Sequence, residues 1–316
     1  MIEELIEKLE SGEELTTDEK KALFKAMARL DDTGERLRRD FAQARGIVLA
    51  PVIRQQSLIR QIFKETDTDG ENIPFPVRGE KVRSAWYMAS LGGTPQRTME
   101  EDEIYVPTFF IRGGVRWKLD LLKASNIEII ERLEQDAIDN VVYLENLAGW
   151  KLVKAAEAAG AILSIPTLAT NGDRFSVDVM IEILTKMEEQ PDRRRITDIY
   201  LSPRRYNEIL KWAKLNVEEL PDGTRREIFD RGPDAVANVL RSWNVAFHKV
   251  YDAKFVDDRK CYCFDASTFG VMPVEIRWET QNDDMAKMVW EAGWIGREKV
   301  GFAILDAPAA CVYTFG

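Results

Sequence analysis

Histidine is almost absent from this 316-residue chain: His248 is the only one. A His-Glu-x-x-His pair or a His-rich metal shell therefore cannot be assembled within one subunit, and a hydrolytic triad would have to be centred on His248. That residue lies inside the apolar segment Val245 to Val250 and reads as a packed structural side chain. No G-x-S-x-G elbow occurs. Cysteine is scarce as well. Cys261, Cys263 and Cys311 are too few for a disulfide scaffold, and Cys-x-Cys lacks the two-residue gap of zinc and redox motifs, so the chain reads as one from a reducing compartment. Cys261 and Cys263, two apart on a strand, share a face and behave there as small hydrophobes. The glycine pairs Gly92-Gly93 and Gly113-Gly114 match neither phosphate-loop nor dinucleotide spacing and read as hinges and turns; no cofactor is expected. No run of eighteen apolar residues exists, and the start, MIEELIEKLE, is acidic, so neither a membrane span nor a secretory signal is expected. Positive charge is in deficit too: 44 Lys plus Arg against 54 Asp plus Glu, net −10, which disfavours a general nucleic-acid coat built on overall charge.

What is present organises the chain. With 45% apolar residues it can bury a substantial core, in two domains or one large domain with insertions. Residues 2 to 45 read as two helices, Ile2 to Leu9 and a second starting at Thr16, where Thr16-x-x-Glu19 has capping-box form. The basic outer part, Arg36, Arg38, Arg39 and Arg45, is either a solvated face or a contact to nucleic acid or a partner. Gly46 to Phe63 reads as extended, leading into a short helix from Gln56. A long hairpin follows, with Val82 to Ala89 and Ile104 to Ile111 as strands. Its tip is Ser90-Leu91-Gly92-Gly93-Thr94-Pro95, trailed by the acidic run Glu100 to Glu103. A two-stranded arm buries too little to stand alone, and Trp86, Tyr87 and Met88 would stay wet on it, so it needs a covering surface, best supplied by a neighbouring copy.

The most informative segment is Asn126 to Ala159: thirty-four residues, no proline, one glycine (Gly149), apolar side chains every three or four positions, and Gly160 at the end. It predicts one helix of roughly 50 Å. Ile127, Ile130, Leu133, Ala137, Val141, Leu144, Ala148, Leu152 and Ala155 mark its packed stripe. Glu128, Glu131, Arg132, Glu134, Gln135, Asp139 and Glu145 mark its wet side. Beyond it lies a compact α/β unit: helices Ser176 to Glu189 and Pro203 to Leu215, strands Ile196 to Leu201, Val245 to Val250 and Lys260 to Phe264. The chain closes with β segments Met272 to Trp278 and Val300 to Thr314, joined by a polar loop or short helix from Glu279 to Ala286. Arg193-Arg194-Arg195 and Arg225-Arg226 suit subunit ion pairs or phosphate contacts, with subunit pairing preferred in so acidic a chain.

Helical arm, long hairpin, lone long helix, inserted α/β unit and closing strands, in that order, resemble the HK97-like major capsid proteins of tailed double-stranded DNA phages. Ile73-Pro74-Phe75-Pro76, then Trp86, the acidic run and VPTFFIRGGVRWKLDLLKAS resemble that family's E-loop running into its spine helix. ITDIYLSPRRYNEILKW is similar to its axial-domain segment, and Trp294-Ile295-Gly296-Arg297 through Asp306-Ala307-Pro308-Ala309 to its last peripheral strands. The resemblance implies an α+β capsid fold: a helical arm over 1–65, an E-loop over 66–112, a peripheral domain over 113–165 and 271–316 with the spine helix at 126–159, and an axial domain over 166–270.

The function so implied is assembly, without catalysis. Copies would join as hexamers and pentamers into an icosahedral shell, built in the host cytoplasm, around DNA bound without sequence specificity. Scaffolding, portal and decoration proteins would be further partners. The E-loop contacts would come from Trp86, Tyr87, Met88, Gly92, Gly93 and Thr94, and inter-subunit or genome-facing charge from Arg36, Arg38, Arg39, Arg193, Arg194 and Arg195. The family's lysine–asparagine cross-link is not expected, because Met88 to Glu103 contains no lysine and Lys81 is poorly placed. The arm of about 45 residues, with Met1 in place, implies a separate scaffolding protein or an arm retained in the shell. An encapsulin-type nanocompartment shares the fold, and a soluble α/β enzyme without a recognisable site is the alternative from another class.

Overall fold

The computed structural model describes residues 2–11, 13, 15–29, 31–69, 74–76, 103–124, 127–166, 174–190, 194–215, 245–283 and 291–316. It opens with three helices: α1 (Ile2–Glu10), α2 (Thr17–Met27) and α3 (Asp32–Gln56). The expected capping box is in place, with Thr16 and Glu19 satisfying each other's backbone N–H groups. The chain breaks after Met27 and restarts at Asp31, whose carboxylate accepts from Gly34 N at 2.8 Å. From there α3 runs straight through the 46–55 stretch that reads as extended in the sequence. Pro51 withholds one helical hydrogen bond, from the carbonyl of Ile47, but both residues lie on the exposed side, where water can serve that carbonyl. Gly46 is in the helix for a different reason: a Cβ there would collide with Thr280, so its absence lets α3 cross the strand carrying that threonine closely. The short α4 (Ile59–Ile62) then delivers the chain into β1 (Phe63–Asp67).

The first sheet combines β1 with β4 (Phe109–Lys118), β9 (Gly270–Asn282) and β10 (Glu291–Val300) in the order β1-β9-β10-β4; β11 (Ala303–Ile304) also pairs with β9. The expected loop at 279–286 gives way to strand as far as Asn282, because Thr280 buries its hydroxyl against Ala42 of α3 and holds that stretch in the sheet. The expected strand over 104–111 is split. Strand β2 (Pro74–Pro76) pairs with β3 (Glu103–Tyr105) as a two-stranded ribbon, and β4 starts afresh at Phe109 after Pro107, which has no N–H to give.

The second sheet is built from β5 (Leu163–Ile165), β6 (Asp198–Leu201), β7 (Ala246–Lys249), β8 (Lys260–Phe264) and β12 (Ala310–Thr314), in the order β5-β12-β8-β6-β7. It joins the chain-closing strand and the strand just after the long helix to three strands of the inserted unit. Helices α7 (Val177–Glu188) and α8 (Pro203–Leu215) belong to that unit as well. One sheet face packs Ile199, Leu201, Cys261, Cys263, Cys311 and Tyr313 with Val179, Met180 and Ile183 of α7; the other, carrying Tyr200, Tyr262, Phe264 and Val312, joins the main core.

After the one-turn helix α5 (Leu119–Lys123), the long helix α6 (Ile127–Ala158) spans both sheets, about 48 Å at 1.5 Å per residue. It stops before Gly160, which takes the left-handed backbone (φ 71) that favours glycine. Its middle crosses β4 where Gly113 leaves room for Val141, and crosses α4 where Gly149 leaves room for Ile59. The buried face is turned relative to the sequence expectation. Glu134 and Glu145, expected to be wet, are 3% and 0% exposed, while Leu144 and Ala155, assigned to the stripe, are not fully covered: Leu144 is 46% exposed and Ala155 is open to solvent. The reason lies far away in sequence: Arg45 of α3 and Arg60 of α4 come to meet those two carboxylates.

Candidate functional site

Among the described residues, the histidine and the cysteines are tied up in structure. His248 Nε2 lies 2.7 Å from Asp198 Oδ1, and its ring stacks on Tyr200 at 4.6 Å between centroids. Asp198 accepts the Thr197 hydroxyl at 2.6 Å on its other oxygen. The hydroxyl thus serves the carboxylate and not the imidazole, the reverse of what nucleophile activation needs. Cys261 and Cys263 lie 3.6 Å apart at sulfur in a fully buried setting. Burial, with the Cys261 contact, pushes the Cys263 thiol well above its ordinary range, which makes it inert. Among the described residues no group of three His, Cys, Asp or Glu side chains could hold a metal ion.

Polar groups concentrate instead where the helical arm, α6 and the first sheet meet. Arg60 donates to Glu145 twice, from Nε at 2.7 Å and Nη2 at 3.1 Å, to Glu298 Oε2 at 2.7 Å, and to Glu65 Oε1 at 3.1 Å. Ser57 Oγ adds a bond to Glu145 at 2.9 Å, and Asn146 accepts from Ile59 N at 2.9 Å, so the start of α4 is capped by the side of α6. Arg54 pairs with Glu65 at the rim. Burial opposes the charge of Arg60, yet Glu145, Glu298 and Glu65 together raise its pKa. Glu298 departs from ordinary carboxylate behaviour: burial first, then Glu145, push it up to about 7 against the pull of Arg60. A second, smaller junction joins Arg45 to Glu134, which also accepts Trp294 Nε1–H at 3.3 Å. These bonds fasten two separate chain segments, 45–65 and 294–298, to one rod. Such fastening sets geometry more than it adds stability.

One exposed apolar patch lies around the β2–β3 ribbon. Ile104, Tyr105, Phe109 and Phe110 are exposed around the β2–β3 ribbon and the start of β4, and Tyr105 reaches 62%. Strand β4 is also a sheet edge, and its outward positions after Phe110 are Arg112, Gly114, Arg116 and Lys118. An edge with wet aromatics at one end and cations along it is a surface suited to protein contact.

The residues singled out from sequence divide sharply. Trp86, Tyr87, Met88, Gly92, Gly93, Thr94 and Arg193 lie outside the described residues, as do the 82–89 strand and Arg225-Arg226. Arg36 and Arg39 are exposed and sit beside Asp40 and Glu35 on their own helix, and Arg195 is exposed. Two assignments need correction. Arg38 is 7% exposed and donates to the carbonyls of Met27 and Arg29 at 2.6 and 2.9 Å, closing the end of α2. Arg194 is buried against Asp306 at 2.7 Å. Neither is free to face another subunit or a genome. Sequence reading misses Arg60 altogether, since an isolated arginine in an apolar helix carries no motif.

No family model matches the chain, and no curated protein matches it by sequence. Solved structures do. The chain of Microbacterium phage Oxtober96 aligns with a TM-score of 0.55 at 13% identity, covering 82% of this chain and 90% of that one. The capsid of cyanophage P-SCSP1u aligns at 0.56 and 12%, covering 82% and 88%. The fold is the HK97-like capsid fold. The capsid of a native GTA particle shares it at 0.53 and 11%, covering 83% and 90%. In HK97-like terms α6 is the spine helix.

Proposed function

We propose that the chain is a major capsid protein that assembles as hexamers and pentamers into an icosahedral shell around a phage genome. The observation that carries this reading is the pairing of a rigid spine, fastened by buried ions, with an uncovered apolar foot of the E-loop. A shell subunit must keep its shape under load while leaving such surface for its neighbours. The role is structural, with no reaction attached.

The domain division proposed from sequence accompanies this reading: arm 1–65, E-loop 66–112, peripheral domain 113–165 with 271–316, axial domain 166–270. Strand β12 would tie the last two together. Trp86, Tyr87, Met88, Gly92, Gly93 and Thr94 are proposed as E-loop contacts on the adjacent copy, and Arg36, Arg39, Arg193 and Arg195 as contacts to other subunits or DNA. Scaffolding, portal and decoration proteins are the expected further partners, and a virion capsid assembled in the host cytoplasm the expected location. Negative-stain microscopy of the purified protein should show closed shells, and their contents, DNA or protein, separate a phage capsid from a nanocompartment. Deleting Ser90 to Arg97 should leave a folded chain that no longer closes shells. Uniform subunit-sized particles under every assembly condition would overturn the proposal, and normal shells from the deletion would overturn the E-loop assignment.

A further inference from the structure

Glu298 sits at an irregular point of the first sheet. Along β10, Arg297 pairs with Glu279 and Lys299 with Ile276, so Arg277 and Trp278 of β9 together oppose the single residue Glu298. A β-bulge of this kind re-aims side chains. Here it turns Glu298 inward, where it is 1% exposed, and one of its oxygens takes Arg60. The other oxygen, Oε1, is buried without a hydrogen-bond partner, and so is the neighbouring Trp278 Nε1. Both residues line a cavity of about 130 Å³ shared with Arg54, Arg60, Glu65 and Arg277. That volume holds several waters, which gives a proton a way in.

The charges that face Glu298 come from every element around it: Arg60 from α4, Glu145 from α6, Glu65 from β1, Arg54 from α3 and Arg277 from β9. Arg277 is spent on Asp67, an exposed pair of its own. Counted with Glu298 itself, the others comprise two arginines and three carboxylates. One bound proton would balance them; without it the junction carries an excess buried negative charge.

We propose that Glu298 is a proton-operated latch, which with its proton on clamps the α3–α4 end of the helical arm to the spine helix and the peripheral sheet, and with its proton off loosens that clamp. On protonation, Oε1 gains an O–H and the junction becomes neutral. On deprotonation the proton leaves through the cavity, and Glu145, Glu298 and Glu65 compete for Arg60. Because the folded chain keeps this proton to about pH 7, well above the ordinary carboxylate range, it binds more protons than the unfolded chain across that window. The clamp is therefore complete at the acid end of the window and lost as pH rises through about 7. Glu65 acts in the opposite sense: burial opposes its ionisation, but the Arg54 and Arg60 contacts hold its pKa low, so its contribution disappears only on strong acidification. The latch belongs to the single subunit and stands whether or not shells form.

The test is hydrogen exchange of the full-length protein at the amides of residues 57–65, corrected for the intrinsic pH dependence of exchange, between about pH 5.5 and pH 8.5. In the unaltered chain protection should fall about tenfold or more between pH 5.5 and about 7 and then level off, since each pH unit between the ordinary carboxylate pKa and the raised folded one is worth a factor of about ten. Glu298→Gln, which mimics the protonated acid, should stay protected throughout. Glu145→Gln removes the neighbouring negative charge that, after burial, does most to hold the proton on Glu298, so it should move the titration of Glu298 to lower pH. Flat protection in the unaltered chain, an undiminished pH response in Glu298→Gln, or a titration moved upward in Glu145→Gln would overturn the latch. Infrared difference spectra of the unaltered protein over the same range need no variant: a buried carboxyl C=O band must be present at the acid end and vanish at the alkaline end, and its absence overturns the proposal.

Discussion

Between Glu134 and Asn146 the spine helix presents carboxylates and an amide to the helical arm, whereas one turn later Trp150 is enclosed by aromatic rings. Trp150 packs against Tyr262 at 5.2 Å, Tyr200 at 5.9 Å, Phe264 at 6.2 Å and Phe255 at 6.3 Å between centroids. The same rod is thus joined to the arm and first sheet by buried ions added to apolar packing, and to the second sheet chiefly by aromatic area. The apolar joint is non-directional and indifferent to pH, and it supplies stability. The ionic joint gains little net free energy, but it admits one geometry and responds to protons. A chain built this way is firm where α6 meets the second sheet and adjustable where the arm meets α6.

Two substitutions set the largest expected effects against each other. Trp150→Ala should cost about 3–5 kcal/mol in denaturant unfolding, a loss that stays level with pH. Arg60→Met should cost a similar ~3–5 kcal/mol near pH 8, because Glu145 and Glu298 remain buried without a counter-charge, but the loss should shrink on acidification as Glu298 takes up its proton. Equal pH profiles for the two variants would break the comparison. Gly149→Ala probes the point between the joints, where a Cβ meets Ile59 of α4; overpacking of this kind should cost about 1–3 kcal/mol and loosen α4 first, read as faster hydrogen exchange there than at Trp150. The smallest effect is expected from Arg39→Ala and Arg195→Ala, both exposed, at no more than about 0.5 kcal/mol in stability. If those sites contact other subunits or DNA, the change should appear in shell yield with the unfolding midpoint unmoved.

Much of the spine is legible in the sequence alone. The expected span Asn126 to Ala159 against the observed Ile127–Ala158 shows how strongly an uninterrupted periodic run with a terminal glycine constrains local conformation. The capping box at Thr16, the helices at 177–188 and 203–215 and the strands at 198–201 and 260–264 are legible for the same reason, being determined by neighbours in sequence. Residues 46–55 mislead because Gly46 and Pro51 look like helix breakers in isolation. The close crossing with Thr280 and the exposed position of Pro51 reverse that reading, and neither is visible locally. Glu134 and Glu145 mislead in their turn, because a carboxylate on a helix ordinarily belongs in water.

By itself, then, the sequence determined the order of the parts: a capped helical arm, a hairpin segment, a 32-residue rod, an α/β insertion and closing strands, with one histidine and three cysteines. Propensity, periodicity and capping act over a few residues and can be read along the chain. Only the tertiary structure decided which face of the rod is buried, that Arg38 and Arg194 turn inward, and that Arg60, Glu145 and Glu298 meet. The last of these depends on side chains 85 and 238 positions apart in sequence being brought within hydrogen-bonding distance, where the cost of burying each charge is offset by a partner that no local pattern announces.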